Sequence, residues 1–267
     1  MKTNAKTILL VHGLWVTPLS WDPFKRFYEN LGYQVIAPAW PGIHGRVTDM
    51  RRSSESLNGI GALEVVEHYA KIIRELPAPP IIMGHSYGGL ITQMLLDRGL
   101  GSAGVAIDSV PPRGIWILPL STNLALVPAF LKLDTFRTTF LFNFKQWWRV
   151  FANTLPENVA REAYATQAIP ASGRAIFQAA LANVTPRAPT AVNFRNRKRA
   201  PLLVIGGSRD VIMPAALSRK IYRKHSISPI RTDYQEFSGR SHYIIAEPGW
   251  QEVADYALTW AEQHAHR

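Results

Sequence analysis

The chain has 267 residues, of which 47% are apolar and 18% are charged, and this composition is typical of a globular protein with a sizeable core. It contains no cysteine, which excludes disulfides, a thiolate nucleophile and a cysteine-ligated metal. The formal net charge of +11 indicates attraction to anionic molecules or surfaces, or a contribution to solubility.

One basic run could indicate a nucleic-acid partner. Residues 195–199 hold four cationic side chains, and the apolar, strand-like segment 201–205 follows directly. We therefore interpret the run as a solvated loop that precedes a strand, and we predict no nucleic-acid binding.

The N-terminal segment could be mistaken for a targeting signal. Two lysines precede the apolar run 8–11, but this run is too short for a secretory signal, and no stretch approaches the roughly 20 apolar residues that span a bilayer. We expect a cytoplasmic protein without stable membrane insertion.

In the first part of the chain, predicted strands alternate with predicted helices. Short β-favouring runs occupy 7–11, 33–37, 80–84 and 104–108. Helical periodicity covers 18–31, 61–76 and the stretch that begins at residue 90, whereas the polar segment 43–58 is predicted to be a loop. This alternation indicates a parallel sheet with right-handed crossovers.

The alternation stops near residue 110 and resumes near residue 200. In between, helix-like segments are predicted at 124–133, 145–154, 157–169 and 173–182, and residues 111–196 hold nine basic and three acidic side chains. We interpret 111–199 as a helical cap inserted into a core formed by 1–110 and 200–267. Many aromatic side chains of this cap would pack on one another, and the cleft below it would hold a small ligand.

After the insertion, the strand–helix pattern continues to the end of the chain. Strands are predicted at 202–205 and 231–237, and helices at 214–224 and 250–264. The complete pattern predicts an α/β fold with about six mostly parallel strands flanked by helices.

A serine flanked by glycines lies where the third predicted strand meets a helix. The segment 84–89 reads Gly-His-Ser-Tyr-Gly-Gly, which is the pattern of a nucleophile elbow centred on Ser86. Such a sharp turn strains the serine backbone and leaves no room for side chains at the two glycines. It also projects the hydroxyl from the sheet, next to the N–H groups that begin the helix.

A serine hydroxyl needs a base, and the base needs an acid that orients it. Because functional side chains gather at the carboxyl ends of parallel strands, His242 is the predicted base and Asp210 the predicted acid. Asp108, which ends the fourth strand, is the alternative acid. The remaining histidines are assigned other roles: His12 would shape the loop after the first strand, the ring of His85 would point away from the serine hydroxyl, and the rest would lie in a loop or face solvent. These last are His44, His68, His225, His264 and His266.

Four motifs resemble those of the α/β-hydrolase fold enzymes. They are His-Gly-Leu-Trp at 12–15, the elbow at 84–89, Gly-Gly-Ser-Arg-Asp at 206–210 and Gly-Arg-Ser-His at 239–242. The chain order serine, acid, histidine also agrees with that family. The resemblance implies an oxyanion hole formed by the backbone N–H groups of Leu14 and Tyr87. The chain differs from the family in one respect, because no antiparallel hairpin is expected before its first strand. Related dehalogenases and epoxide hydrolases carry an aspartate at the elbow, so Ser86 argues against both activities.

The residues and the resemblance together predict a serine hydrolase that cleaves small to medium apolar esters without a cofactor or metal. Aromatic residues suggested for substrate contact are Trp15, Trp116 and Trp147. Activity should be lost below about pH 6, where a histidine base becomes protonated. The alternatives are a lipase or lysophospholipase, a lactonase, a cofactor-free haloperoxidase or C–C hydrolase, and a ligand-binding protein on a hydrolase scaffold.

Overall fold

The structure is a computed structural model that describes residues 6–116, 119–132 and 134–265. Its strands, in chain order, are β1 (Thr7–Val11), β2 (Gln34–Ile36), β3 (Ile81–His85), β4 (Ala103–Ile107), β5 (Thr139–Phe140), β6 (Ala171–Ser172), β7 (Leu202–Gly207) and β8 (Thr232–Phe237).

Six of these strands form the central sheet, in the order β2-β1-β3-β4-β7-β8. Every neighbouring pair in it is parallel, which confirms the predicted parallel sheet. Strands β1, β3, β4 and β7 are buried along their whole length. This burial explains why they appear in the sequence as continuous apolar runs rather than as alternating patterns.

The described residues form ten α-helices. They are α1 (Asp22–Asn30), α2 (Val47–Arg52), α3 (Ala62–Arg74), α4 (Tyr87–Asp97), α5 (Leu120–Leu131), α6 (Phe144–Phe151), α7 (Glu157–Gln167), α8 (Gly173–Ala180), α9 (Ala215–His225) and α10 (Trp250–His264). Single 3₁₀ turns precede α1 at Pro18–Trp21 and α3 at Glu55–Leu57.

The two faces of the sheet belong to two different hydrophobic clusters. Along β1, Leu9 and Val11 pack in a cluster with α3 and α4, whereas Ile8 and Leu10 pack in a cluster with α1 and α10. This assignment follows from the two-residue period of a strand, which sends successive side chains to opposite faces. The sheet is therefore a rigid layer with helices on both sides, and it fixes the positions of the loops at its carboxyl edge.

The segment between β4 and β7 adds no strand to the central sheet. It contains α5 to α8 and the antiparallel pair β5–β6, which the sequence pattern did not predict. The pair has only two residues on each side, which is too short to produce a recognisable alternation.

Segment 43–58 is not the irregular loop that its polar composition predicts. It contains α2, whose Arg51 donates from Nε to the carbonyl oxygen of Ala168 at 2.8 Å. Arg51 also stacks on the ring of Tyr164 in α7 at 4.6 Å. Contacts with a segment more than 100 residues away stabilise this helix, so local propensity did not reveal it.

Two polar residues predicted to be solvated are in fact buried. His225 is only 2% exposed, and its Nε2 pairs with Oε1 of Gln93 at 2.9 Å. Arg199 is 1% exposed and donates to the carbonyl oxygens of Ala200 and Ile230. Its burial lowers the pKa of the guanidinium to about 10. Of the other histidines predicted to face solvent, His68 and His264 are half-buried and His266 lies outside the described residues, whereas His44, predicted to lie in a loop, is exposed.

Among the described residues, no helix combines the length and the apolar character that crossing a membrane would need.

Candidate active site

Ser86 lies at the junction of β3 and α4 in a strained backbone conformation, with φ 58° and ψ −120°. The adjacent glycines are required because the backbone packs too closely for side chains. A Cβ at Gly84 would lie 2.1 Å from the carbonyl oxygen of Gly88, and one at Gly88 would lie 2.0 Å from that of Val11. The strain and the close packing are those of the predicted nucleophile elbow.

The loop after β1 lies directly against the hydroxyl of Ser86. A Cβ at Gly13 would be 2.7 Å from Cβ of Ser86 and 3.2 Å from its Oγ. This contact places the peptide group between Gly13 and Leu14 beside the serine. The amide of Tyr87 is also close, because Tyr87 is the first residue of α4.

His12 fixes the orientation of that loop. Its Nε2 accepts a hydrogen bond from the backbone N–H of Trp40 at 3.2 Å, so its Nδ1 carries the proton and donates to the Gly13 carbonyl at 2.9 Å. Burial lowers the pKa of His12 to about 4, which keeps the ring neutral. In a trans peptide the N–H points opposite to the C=O. Holding the Gly13 carbonyl therefore directs the Leu14 N–H away from His12.

His242 and Asp210 form a fully buried pair. Nδ1 of His242 lies 2.6 Å from Oδ2 of Asp210, and neither side chain is exposed to solvent. The second oxygen of Asp210 accepts the backbone N–H groups of Ile212 at 2.9 Å and Met213 at 2.8 Å. Nε2 of His242 has no hydrogen-bond partner among the described residues, so it is available to accept a proton.

Asp108 lies in the same buried cluster but has a different hydrogen-bond partner. Its Oδ1 accepts the backbone N–H of Gly207 at 2.7 Å, and its carboxylate lies within 4.8 Å of ring nitrogens of His85 and His242. Burial, and then the negative charge of Asp210, raise the pKa of Asp108 well above its ordinary value. Asp210 bonds the imidazole directly. Asp108 lies beside this pair, and its raised pKa favours the neutral acid.

The donor atoms of His85, Asp108 and His242 are close enough together to be considered as a metal site. The ring of His85 bonds the backbone carbonyl of His242 through Nε2 at 2.7 Å, and His242 already uses Nδ1 to bond Asp210. These two contacts fix the orientation of the rings, and the second nitrogens, Nδ1 of His85 and Nε2 of His242, have no partner among the described residues.

Glu247 stabilises the loop that carries His242, and no sequence pattern indicated this role. This 2% exposed carboxylate accepts the N–H of Ser241 at 3.0 Å and the Ser241 hydroxyl at 2.8 Å. It also accepts a hydrogen bond from the hydroxyl of Thr154, which lies in the segment between β4 and β7. The N–H of Tyr243 donates to the Phe151 carbonyl at 2.8 Å. The histidine loop is thus bonded, on both sides of His242, to the segment between β4 and β7.

Two of the three tryptophans suggested for substrate contact lie near His242. Phe151 packs edge-on to the His242 ring at 4.8 Å, and Trp147 stacks on Phe151 at 5.4 Å. Trp15 lies 6.0 Å from Phe151 and donates its indole N–H to the Phe140 carbonyl at 3.0 Å. Trp116 is 71% exposed and does not join this aromatic cluster.

The site is closed in this conformation. Ser86 is 4% exposed, and a small cavity of about 10 Å³ beside the loop after β1 is lined by Gly13, Leu14 and Trp15. A cavity of that size can hold no more than about one water molecule. The low exposure of Ser86 shows that neighbouring side chains cover most of it in this conformation.

Comparisons with known proteins agree with the fold. The sequence profile of the Alpha/beta hydrolase family matches residues 8–256, and the chain therefore belongs to this family. No curated protein sequence is similar enough to count as a relative.

Several solved structures share the fold at low sequence identity. The monoacylglycerol lipase of Paleococcus ferrophilus is 21% identical, with a TM-score of 0.67 over 97% of this chain and 95% of that one. A methylesterase from Arabidopsis is 16% identical, with a TM-score of 0.69 over 97% of this chain and all of that one. A pyrethroid hydrolase from Sphingobium faniae is 18% identical, with a TM-score of 0.63 and the same coverage. At these identities the likeness extends to the fold and no further.

Proposed function

We propose that this hydrolase cleaves carboxylic esters of small to medium apolar substrates through an acyl-enzyme on Ser86. The observation that carries the proposal is the conjunction of a strained elbow serine with a buried His242–Asp210 pair at 2.6 Å. Structural neighbours described as a lipase, a methylesterase and a pyrethroid hydrolase also support ester cleavage.

In the proposed reaction, Nε2 of His242 removes the proton of Ser86 as Oγ attacks the ester carbonyl. The tetrahedral oxyanion accepts hydrogen bonds from the N–H groups of Leu14 and Tyr87, each worth about 3 kcal/mol. His242 then gives the proton to the leaving alcohol, and Asp210 stabilises the imidazolium throughout. Water, deprotonated by the same histidine, attacks the acyl-enzyme and releases the acid.

We propose that residues 111–199 act as the cap over this centre, with 1–110 and 200–267 as the core. Trp147 and Phe151 support an apolar binding wall, because both are fully buried and reach His242 through a chain of ring contacts. The apolar wall favours uncharged acyl or alcohol groups. A cap shift that uncovers Ser86 would admit them.

An activity-based probe tests the nucleophile directly. A fluorophosphonate probe should label the wild-type protein on Ser86, and Ser86→Ala should abolish the labelling without loss of folding. The matched control is Ser226→Ala, an exposed serine at the end of α9, which should label like the wild type. Folded wild-type protein that fails to label would favour a ligand-binding role instead.

A panel of p-nitrophenyl esters from short to long acyl chains, together with lactones, tests the substrate class. The proposal predicts the highest kcat/KM for short and medium chains. A rise toward long chains would indicate a lipase or lysophospholipase, and preferential turnover of lactones would indicate a lactonase.

A further inference from the structure

The exposed face of α5 is unusual for a surface helix. Such a helix normally turns its apolar side chains inward and its polar ones outward. In α5 the buried side chains are small, at Thr122, Ala125 and Ala129, whereas large apolar side chains point outward. These are Leu120 at 73%, Leu124 at 55%, Val127 at 40% and Leu131 at 75% exposure.

The four outward residues form one continuous stripe. Their spacing of four, three and four residues places them on the same side of the helix. The twelve residues of α5 include no charged side chain. We call Leu120, Leu124, Val127 and Leu131 the α5 stripe. A contiguous exposed apolar surface of this kind marks an interaction site.

A groove runs along one side of the stripe toward the candidate active site. It has a volume of about 420 Å³ and is lined by Leu120, Leu124 and Pro128 from α5, Arg149 from α6, and Val211. Val211 follows Asp210 directly in the chain, and the hydroxyl of Thr122 donates to the Ile212 carbonyl at 2.7 Å. The helix that carries the stripe is therefore packed on the loop that supplies the buried acid.

Cationic side chains are concentrated in the part of the chain that contains the stripe, and one of them, Arg149, lines the groove beside it. Residues 113–149 contain five basic residues and one acidic residue, and all five basic side chains are exposed: Arg113, Lys132, Arg137, Lys145 and Arg149. Within the described ranges, Lys132 pairs with Asp134 at 3.6 Å, whereas Arg137, Lys145 and Arg149 form no ion pair. An apolar strip with the exposed Arg149 beside it, in a strongly basic part of the chain, complements an anionic surface with an apolar interior.

We propose that the α5 stripe docks on the surface of an anionic lipid bilayer. The leucines would enter the headgroup–acyl boundary while basic side chains from the same part of the chain contact lipid phosphates. A second copy of this chain is a poorer occupant, because two such faces would bring their cations together in a molecule of net charge +11. The docking is peripheral, involves no membrane-spanning helix, and does not depend on ester cleavage.

Vesicle co-sedimentation of the full chain tests the proposal. The wild-type protein should bind vesicles of equal parts phosphatidylcholine and phosphatidylglycerol, bind pure phosphatidylcholine vesicles far more weakly, and be released by salt. The double variant Leu120→Ser/Leu124→Ser should lose at least about tenfold in affinity. The matched control is Leu31→Ser/Ile227→Ser, which changes two exposed apolar residues at the opposite edge of the sheet. Each lies between a helix and the amino end of a strand, and this variant should bind like the wild type.

A second pair of variants tests the charge. Lys145→Gln/Arg149→Gln should weaken binding by about 30-fold, from about 1 kcal/mol per cation. Arg195→Gln/Arg197→Gln removes the same charge from the run that precedes β7, at the opposite edge of the sheet, and it should weaken binding much less. The Ser86→Ala protein should bind vesicles like the wild type, so failure of the proposed hydrolysis would leave this test intact.

Three outcomes would overturn the proposal. One is equal affinity for neutral and anionic vesicles, and another is unchanged vesicle binding by the α5 variant. The third is a concentration-dependent dimer that Leu120→Ser/Leu124→Ser dissociates, without vesicle binding by the wild type, which would make a second copy the occupant. Circular dichroism and thermal unfolding of each variant verify that its fold is intact.

Discussion

Two buried aspartates lie beside one imidazole, and they differ in how their oxygens are partnered. Asp210 accepts two backbone N–H groups on one oxygen and the His242 ring on the other. Asp108 accepts one backbone N–H, and its Oδ2 has no partner among the described residues. Hydrogen-bond donors stabilise a carboxylate, whereas burial without them favours the neutral acid. The two aspartates therefore differ in their hydrogen-bond partners, and burial together with the negative charge of Asp210 raises the pKa of Asp108.

Replacement of each aspartate by asparagine distinguishes their roles. Asp210→Asn should lower kcat by at least about a thousandfold, because an amide cannot hold the correct tautomer or stabilise the imidazolium. Asp108→Asn should change kcat by less than about tenfold, because the amide resembles the neutral acid in shape and can still accept the Gly207 N–H. The measurement is kcat for a soluble ester over a range of pH. A larger loss in Asp108→Asn than in Asp210→Asn would reassign the acid.

At the scale of elements, the elbow depends on how closely α4 approaches β1 and β3. Gly88 is in the first turn of α4, and a Cβ there would meet the backbone oxygen and carbon of Val11 at 2.0 and 2.7 Å. These atoms belong to a buried strand at the centre of the sheet and cannot move aside. The position of Ser86 thus follows from main-chain contact between a helix and a strand.

Gly88→Ala should therefore lower the free energy of unfolding by about 3 kcal/mol or more. The matched control is Gly239→Ala, at φ 76° with no atom within 4 Å of the new Cβ, where only the backbone conformation costs about 1 kcal/mol. Urea unfolding monitored by tryptophan fluorescence measures both values. Equal losses in the two variants would contradict the close-packing argument.

At the scale of the whole molecule, three buried histidines link stability to pH. Burial lowers the pKa of His12 to about 4 and that of His225 to about 3, and burial and the neighbouring His242 lower that of His85 well below its usual value. Below about pH 6.5 the unfolded chain takes up these protons and the folded chain does not, so the free energy of unfolding falls with acidification. Asp108, whose pKa is raised, acts in the opposite direction, but it is one group against three.

The acid sensitivity should become smaller when one of these histidines is removed. At about pH 5 a histidine such as His225 should lower the free energy of unfolding by about 2 kcal/mol relative to neutral pH. His225→Gln keeps a polar partner for Gln93, and it should reduce the difference in Tm between about pH 7.5 and about pH 5. The control His44→Gln replaces an exposed histidine and should leave that difference unchanged. An identical pH dependence in all three proteins would argue against the linkage.

Much of the fold could be predicted from the sequence because its signals are local. Apolar runs mark the buried strands, and the glycines of 84–89 mark a turn whose close packing leaves no room for side chains. Because the strands are parallel, their carboxyl ends lie at one edge of the sheet, where Ser86, Asp210 and His242 are the predicted catalytic residues. Some features were not predicted, because each depends on partners distant in the chain. They are helix α2, the β5–β6 pair and the burial of His225 and Arg199.

The sequence by itself determined the parallel sheet, the elbow and the identity of the candidate triad residues, since backbone propensity and residue spacing specify these features. Only the tertiary structure showed which aspartate bonds His242, how Glu247 links the histidine loop to the segment between β4 and β7, and that the large side chains of α5 face outward. Distances and solvent exposure decide such features, and they depend on the packing of segments that lie far apart in the chain.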